Sequence, residues 1–493
     1  MDREPSPHRS SAAAQTVLVV DLDGTLTPTD TLHESLALLS RTRMLDLLRL
    51  PLWLLGGRAR FKAELARRVQ LNVAVLPWNE PVLEYLREQR LAGRRIVLAT
   101  AAHRSIAEAV AEHLGLFDAV LSTGDGDNLK GEAKLRAILR SEGSAFVYAG
   151  DSRADLKVWA GAAGAVLVGT TTAVESALRE SGVPVEQQFP RPARNFMPWL
   201  KMLRVHQWLK NTLLFVPLLT ALPEHALAAL WILTKAFAAF SMAASATYIF
   251  NDLGDLANDR AHPRKRLRPL ASGVIPIKQA AALSWALLAT AFALAALTST
   301  GFVVVLSIYV ASTLTYSAAL KSYVLLDVLT LALLYMLRIV AGAVTIAVPV
   351  SSWLLVFSGF MFFSLGMVKR CAELVTIQQQ GRTAARGRDY RTDDLRVLFP
   401  LGVGASLSAA VVFGLFIAAP ETASRYANHD VLWAVACGLT YWLGRLWIKT
   451  SRGEMHDDPV VYAMRNRGSR LIVAAMVLTV LVARFVGPGW FAR

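Results

Sequence analysis

Long, uncharged apolar stretches recur from about residue 211 to the C-terminus, and they constrain the fold of this chain more than any other feature. About nine of them are long enough to cross a bilayer as helices. Their centres lie near residues 216, 239, 288, 309, 335, 359, 409, 440 and 478. The sequence therefore predicts an all-α, polytopic membrane domain in the second part of the chain.

The first 185 residues differ from the rest, because they combine mixed charge with short apolar runs and glycine turns. This texture is typical of a soluble α/β domain. A chain of 493 residues has room for two domains. We expect an α/β domain at 1–185, a proline-interrupted linker at 186–200 and a membrane domain at 201–493.

Basic residues account for a net charge of +15, and in the second domain they cluster between alternate apolar stretches. The basic connections are 251–278, 320–323, 369–396 and 445–470. This alternation is typical of a membrane protein and argues against nucleic acid as the partner. By the positive-inside rule these connections are cytoplasmic, and the N-terminal domain is expected to be cytoplasmic as well.

Three aspartates, Asp252, Asp255 and Asp259, follow an apolar stretch at i, i+3 and i+7 spacing. On a helix this spacing places them on one face. Ionised groups near membrane depth need a partner, and a hard divalent cation such as Mg²⁺ suits carboxylates. The alternative is a solvated acidic loop between two helices.

In the N-terminal part, the β-branched run at 17–20 predicts a buried strand that ends at Asp21 and Asp23. Asp21-Leu22-Asp23-Gly24-Thr25 resembles the first motif of the haloacid-dehalogenase (HAD) phosphatase superfamily. Candidates for the later motifs are Thr100, Lys134 and the pair Asp151 and Asp155. The resemblance implies a Rossmannoid α/β fold.

By the same resemblance, Asp21 would be the nucleophile and Asp23 the acid/base, and both would lie at the Mg²⁺ site with Asp151. Thr100 and Lys134 would bind phosphate, with Lys130 as a rival to Lys134. Asp155 would support the metal or orient Lys134. A carboxylate can attack a phosphoryl group only when nearby cations and hydrogen-bond donors neutralise its charge.

A small helical cap is expected near residues 30–80. Within it, residues 44–56 are rich in leucine but too short and interrupted to span a bilayer. They could cover the phosphatase site or rest on the membrane surface.

The pattern Asn251-Asp252-x-x-Asp255-x-x-x-Asp259 resembles the first aspartate-rich motif of the UbiA superfamily of membrane prenyltransferases, over roughly residues 198–490. The stretches 260–273 and 204–211 resemble one branch, the decaprenyl-phosphate phosphoribosyltransferases of arabinan-making bacteria. The resemblance implies a multi-pass protein of the bacterial inner membrane.

Typical aromatic prenyltransferases of the superfamily carry a second acidic motif after the sixth span, where this chain has Lys369 and Arg370. Bases there suit a substrate phosphate that is held directly by cations. Asp389 and Asp393 lie farther along the same loop and offer an alternative, displaced acidic motif.

The resemblance implies that Asp252 and Asp255, assisted by Asp259, hold Mg²⁺ on a diphosphate leaving group and so take a catalytic part. Lys369 and Arg370 would receive the lipid phosphate. The other candidate substrate contacts are Lys210, Arg260, Lys265, Arg266, Arg268, Tyr316 and Lys321. For the basic residues after Asp259, anchoring to anionic lipid is the alternative.

Together, the two resemblances predict a bifunctional enzyme. It would transfer phosphoribose from phosphoribosyl diphosphate to a polyprenyl phosphate, and its HAD domain would then remove the 5-phosphate. The alternatives are an aromatic prenyltransferase with an accessory phosphatase domain, a phosphatase tethered by an inactive membrane domain, and a non-enzymatic lipid-binding protein.

Overall fold

Six short strands form the sheet of the N-terminal part in this computed structural model. The structure describes residues 16–486 except 125–127, 191–194, 222–224, 385–387, 421, 423–425, 456–458, 460–461 and 463–464. Parts of the predicted linker and of two basic connections therefore lie outside the described residues. The strands are β1 (Val17–Val20), β2 (Ile96–His103), β3 (Ala119–Thr123), β4 (Phe146–Gly150), β5 (Gly164–Val168) and β6 (Val185–Phe189).

The strand order is β3-β2-β1-β4-β5-β6, and every neighbouring pair is parallel. Strands β4 and β5 are buried along their whole length, which explains why their sequences are apolar without alternation. Strands β2 and β3 lie on one side of β1, and β4, β5 and β6 lie on the other side, so the strand order changes direction at β1. Open α/β sheets bind ligands at the carboxyl ends of strands beside such a switch point.

Helices connect these strands, and the first three lie between β1 and β2, where the cap was predicted, together with the 3-10 helices Met44–Arg49 and Val73–Val75. The helices are α1 (Thr31–Thr42), α2 (Leu50–Leu55), α3 (Arg58–Arg68), α4 (Glu80–Leu91), α5 (Arg104–Leu114), α6 (Glu132–Glu142), α7 (Leu156–Trp159) and α8 (Thr172–Glu180). A 3-10 helix, Met44–Arg49, precedes α2. The fold class predicted for this part is confirmed.

The chain divides into two compact units, which are described separately. The first unit holds Met1–Val205 with Tyr248–Ala286, and the second holds His206–Thr247 with Leu287–Arg493. The first aspartate-rich motif and its basic continuation thus belong to the same unit as the α/β sheet.

The remaining helices are mostly long and apolar. They are α9 (Met197–Leu203), α10 (Val216–Ala221), α11 (Ala226–Gly254), α12 (Leu256–Arg260), α13 (Ile277–Ala296), α14 (Thr300–Ala318), α15 (Leu326–Thr345), α16 (Ser352–Gln379), α17 (Leu395–Ala418), α18 (Leu432–Ser451) and α19 (Arg467–Phe485). Within the described residues, 8 helices are long and apolar enough to cross a membrane.

The difference from about nine predicted spans lies near residue 216. There the described chain forms a 3-10 helix, Val205–Phe215, followed by the short α10. Polar contacts hold this segment, because Asn211 donates to the Ser241 hydroxyl at 3.0 Å and Trp208 donates to the Ser245 hydroxyl at 2.9 Å. Hydropathy alone does not detect such contacts.

Candidate functional sites

The first candidate site lies where β1 and β4 end. These strands are parallel neighbours with Val20 opposite Ala149, so Asp21 and Asp151 leave the sheet side by side. The amide of Asp21 donates to the Ala149 carbonyl at 3.0 Å. Gly24 has φ +82°, and a Cβ there would lie 2.2 Å from an Asp151 carboxylate oxygen. The glycine of the Asp-x-Asp-Gly motif is therefore required by the approach of the two loops.

Asp21, Asp151 and Asp155 form an acidic group whose ligand atoms all lie within 4.8 Å of one another. Burial, together with repulsion from the neighbouring Asp155 and Asp21, raises the pKa of Asp151 to about 8. Crowded, buried carboxylates are costly unless a cation neutralises them. The oxygen donors suit a hard divalent ion such as Mg²⁺, so the residues present fit the expected metal.

Lys134 supplies the organic cation of this site. Its ammonium lies 2.9 Å from an Asp21 carboxylate oxygen, and the side chain is buried. It also donates to the Tyr148 hydroxyl at 2.8 Å, which in turn donates to Asp155 at 2.9 Å. Lys130, the rival candidate, is exposed. Tyr148 was not predicted as a site residue. A tyrosine inside the run Phe-Val-Tyr-Ala-Gly was the available signal.

The side chains of Asp23 and Thr100 take defined positions beside this group. Asp23 accepts from the Thr31 amide at 2.8 Å, and burial followed by repulsion from Asp30 raises its pKa to about 7. Thr100 is fully buried, and its hydroxyl accepts from the Ala102 amide at 3.0 Å.

One cap residue reaches the same region. Lys62, on α3, donates to the Ala101 carbonyl and to the Asn128 side chain. Burial lowers the pKa of Lys62, and the nearby Asp23 and Asp30 oppose that shift. The cap thus contacts β2 at Ala101, the residue after Thr100.

The second candidate site is the aspartate-rich stretch that follows α11. The helix is interrupted, since α11 ends at Gly254 and Asp255 is the N-cap residue of α12. The three aspartates therefore do not lie along one continuous helix. Asp252 and Asp259 are still close, because Arg268 contacts them at 3.3 Å and 2.6 Å respectively.

Basic side chains surround these aspartates. Arg204 contacts Asp252 at 2.6 Å, Lys265 lies 4.0 Å from Asp259, and Arg41 of α1 lies 3.7 Å from Asp255. Burial raises the pKa of Asp259, and the Arg268 charge opposes that shift. The oxygens suit Mg²⁺, but a bound ion would replace some of these contacts.

Arg260 and Arg266 take different environments. Arg260 donates to both carboxylate oxygens of Glu34, on α1, at 2.6 Å and 2.9 Å, and to the Ala271 carbonyl at 2.9 Å. Both partners of this ion pair are almost fully buried. Lys265 and Arg266 are exposed. Glu34 was not predicted from the sequence, and no local pattern around it marks a partner 226 residues away.

In the second unit, Lys210 lies over the Tyr335 ring at 5.5 Å from its centroid. The Arg338 guanidinium lies 5.5 Å from the same ring and donates to Asn211 at 2.9 Å. These contacts place the candidate Lys210 beside a buried polar group in the helical bundle.

Arg370, a predicted lipid-phosphate ligand, is buried in an ion pair within the second unit. It donates to Asp327 at 2.6 Å and also contacts Glu373, while the Tyr390 hydroxyl donates to Asp327 at 2.5 Å. Arg388 contacts the same Glu373 oxygen at 3.1 Å. The charge of Arg370 is thus already paired within the protein.

Two other candidates of the second unit lie at a helix end, since Tyr316 belongs to the last turn of α14 and Lys321 to the following 3-10 turn. Lys369 instead lies inside α16, which continues to Gln379, and not in the connection that the sequence predicted to begin at residue 369. Asp389 and Asp393, the alternative acidic motif, are both exposed. The substrate and metal roles of all these residues remain predictions.

Comparisons with known proteins match the N-terminal part of the chain to one family and the later part to another. The family model of the haloacid dehalogenase-like hydrolases matches residues 18–159, and that of the UbiA prenyltransferase family matches residues 212–489. The protein y4nM of Sinorhizobium fredii, which is uncharacterized, is 39% identical over 94% of this chain and 90% of its own length.

Two further relatives match only the later part of the chain. The nodulation protein NoeC of Azorhizobium caulinodans is 33% identical over 57% of this chain and 92% of its own length. The decaprenyl-phosphate phosphoribosyltransferase of Mycolicibacterium smegmatis is 27% identical over 59% of this chain and 93% of its own length. The chain belongs to the UbiA prenyltransferase family of multi-pass membrane proteins, and it carries a HAD-like hydrolase domain at its N-terminus.

Proposed function

We propose that this chain transfers phosphoribose from phosphoribosyl diphosphate to a polyprenyl phosphate and then removes the 5-phosphate. The observation that carries the proposal is the occurrence, in one chain, of two parts with matching chemistry. One is a transferase part related to decaprenyl-phosphate phosphoribosyltransferases, and the other is a HAD-type group of acids with a paired lysine. The product of the first reaction is a phosphate monoester, the substrate class that the second group suits.

In the transfer step, an oxygen of the lipid phosphate attacks the anomeric carbon of the ribose. The bond from that carbon to the diphosphate oxygen breaks, and diphosphate leaves. A lipid phosphate is already anionic near neutral pH, so the step needs no strong general base. Lys210, Lys265, Arg266 and Arg268 remain the proposed phosphate contacts, with Tyr316, Lys321 and Lys369. Mg²⁺ held by Asp252, Asp255 and Asp259 would stabilise the charge on the leaving group.

In the hydrolytic step, an Asp21 oxygen attacks the phosphorus of the 5-phosphate and the ester bond to ribose breaks. The departing ribose oxygen takes a proton from Asp23. Water, after giving a proton to Asp23, then hydrolyses the aspartyl phosphate and releases inorganic phosphate. Lys134 holds Asp21 in place and faces the phosphoryl oxygens with Thr100. A divalent cation at Asp21, Asp151 and Asp155 would neutralise phosphoryl charge.

Both reactions require the domains to face the same side of the membrane. We propose that the N-terminal domain is cytoplasmic in a bacterial inner membrane, as the distribution of basic connections indicates. We also retain the order of a phosphatase domain, a linker and a transferase domain that the limits 1–185, 186–200 and 201–493 describe. The sheet includes β6 at Val185–Phe189, so the first domain extends past the predicted limit at residue 185.

The test uses the purified full chain in lipid nanodiscs with Mg²⁺, labelled phosphoribosyl diphosphate and decaprenyl phosphate, followed by mass analysis of the lipids. The wild type should yield ribosyl lipid. Asp21→Asn should accumulate the phosphorylated lipid, and Asp252→Asn should yield neither lipid while still hydrolysing p-nitrophenyl phosphate. Asp430→Asn, at a side chain that is 79% exposed, is the matched control.

Loss of transfer in Asp21→Asn would contradict the division of labour. The absence of any sugar-bearing lipid, together with prenylation of an aromatic acceptor from a polyprenyl diphosphate, would instead establish the aromatic prenyltransferase alternative.

A further inference from the structure

The cap carries an exposed apolar surface that neither candidate site uses. We define the cap patch as Met44, Leu45, Leu48, Leu52, Leu54 and Leu55. These side chains are between 54% and 85% exposed in the full chain. Among the described residues between 16 and 190, nine large apolar side chains are exposed, and six of them belong to the cap patch. Such a concentration marks an interaction surface.

The opposite face of the same segment packs against other residues of the cap. The cap patch is therefore exposed on a folded segment of the chain. Trp53 is buried in a small core with Leu39, Phe61, Leu65 and Val69. The Arg68 guanidinium lies over the Trp53 ring at 4.3 Å. The 3-10 helix Met44–Arg49 and α2 are therefore packed against this small core on one face. The apolar side chains of the cap patch lie on the other, exposed face.

Basic residues border the cap patch. Residues 41–60 contain five arginines, at 41, 43, 49, 58 and 60, and one acidic residue, Asp46. The Asp46 side chain is 13% exposed and is neutralised by Arg49 at 2.9 Å, with Arg68 at 3.7 Å. Arg43, Arg58 and Arg60 are exposed. The surface thus combines apolar side chains with a net positive border.

We propose that the cap patch inserts into the headgroup region of the bilayer that the membrane helices cross. Apolar side chains beside arginines suit an interface of acyl chains and anionic headgroups. The segment is too short to span the membrane. The bilayer is also a partner that this chain already needs, because eight of its described helices are long and apolar enough to cross a membrane. Binding of a second copy of the chain to the cap patch would not require the arginines that border it.

This insertion gives the phosphatase site a route to a lipid substrate, a consequence that rests on the proposed function. Lys62, on the helix that follows the cap patch, contacts Ala101, one residue after Thr100. The cap would therefore contact the bilayer through the cap patch and the strand that carries Thr100 through Lys62. A lipid-linked phosphate could reach the site without leaving the membrane.

The test measures the depth of a fluorophore at position 48 of the full chain in nanodiscs that contain anionic lipid. Cys437 is exposed and is replaced by serine, whereas the buried Cys371 is kept. Leu48→Cys and the control Leu91→Cys are each labelled with an environment-sensitive dye. Leu91, on α4, is 88% exposed and lies outside the cap patch.

We expect blue-shifted emission at position 48 and quenching by lipids brominated near the headgroup end of the acyl chain, with neither effect at position 91. Solvent-like emission at both positions would overturn the proposal. A blue shift without bromine quenching, found only at high protein density, would also overturn it in favour of a second copy.

The functional arm compares Leu45→Ser/Leu48→Ser/Leu52→Ser with Leu91→Ser. The triple variant should hydrolyse the lipid-linked phosphate in nanodiscs about tenfold more slowly, because three inserted side chains lose their apolar contact. Hydrolysis of water-soluble p-nitrophenyl phosphate should not change. Bromine quenching in a chain that hydrolyses no lipid phosphate would support the docking and refute the proposed function.

Discussion

Glu34 and Arg260 form a buried, two-bond ion pair across 226 residues of sequence, at 2.6 Å and 2.9 Å. The Thr29 hydroxyl also donates to Glu34 at 2.7 Å. Glu34 lies on α1, whose first residue donates its amide to Asp23. One short helix therefore contacts Asp23 of the first candidate site at its start and the aspartate-rich stretch along its length.

Glu34→Gln should destabilise the full chain strongly. The change leaves the buried Arg260 guanidinium without its carboxylate partner, and breaking such a pair costs about 3–5 kcal/mol. We expect a clear fall in the midpoint of thermal unfolding, measured in detergent by near-UV circular dichroism. Arg260→Met should produce a comparable loss.

Glu132→Gln is the matched control, because Glu132 forms an exposed ion pair with Lys157 at 2.7 Å. It should leave the unfolding midpoint unchanged. If Glu34→Gln kept wild-type stability and only raised KM for phosphoribosyl diphosphate, Arg260 would be a substrate ligand, as the sequence predicted, and not a structural partner.

Lys134→Met should lower phosphatase activity by at least about 100-fold, because the variant lacks the cation that we propose to face the phosphoryl group. Lys134 contacts Asp21 at 2.9 Å, whereas Lys130 is exposed. Lys130→Met should therefore retain near-normal kcat on p-nitrophenyl phosphate. The reverse result would assign the phosphate contact to Lys130.

Tyr148→Phe should lower phosphatase kcat on the order of tenfold, equivalent to about 1.4 kcal/mol. The change removes the hydroxyl that accepts from Lys134 and donates to Asp155. The protein should remain folded, since the ring keeps its packing. Tyr323→Phe, at a side chain that is 58% exposed, should have no effect. Equal activities in the two variants would rule out a positioning role for Tyr148.

Arg370→Met should unfold the second unit more easily instead of altering KM alone. The substitution leaves Asp327, which is fully buried, without its cation, at a cost of about 3–5 kcal/mol. The resistance of the purified chain to proteolysis in detergent measures this loss. Lys449→Met, at a partly exposed ion pair, serves as the control. A stable Arg370→Met variant with weakened binding of polyprenyl phosphate would restore the predicted lipid-phosphate contact.

The sequence predicted the features that depend on short segments. The run at 17–20 and its two aspartates indicated a strand end, and β1 with Asp21 occupies that place. Both families were also recognised from local motifs, and the family models confirm them. Periodicity and hydropathy are properties of neighbouring residues, which is why these predictions needed no knowledge of the tertiary fold.

Features that depend on distant contacts were not predicted. Nothing next to Glu34 indicates Arg260, and nothing next to Asp327 indicates Arg370. Spacing alone suggested that Asp252, Asp255 and Asp259 share one helix face, but the helix ends at Gly254. Arg268, which the sequence predicted as a phosphate ligand or an anchor to anionic lipid, instead contacts both Asp252 and Asp259.

The contacts of α1 bear on whether the two halves could be encoded by separate genes. Within one chain, Arg41 and Glu34 meet Asp255 and Arg260 at an effective concentration on the order of millimolar. Two separate polypeptides would have to find each other at cellular concentrations and then form the contacts of α1 between two chains. A split gene should therefore restore a working pair only at high expression, and a foreign phosphatase domain would need its own equivalents of Glu34 and Arg41.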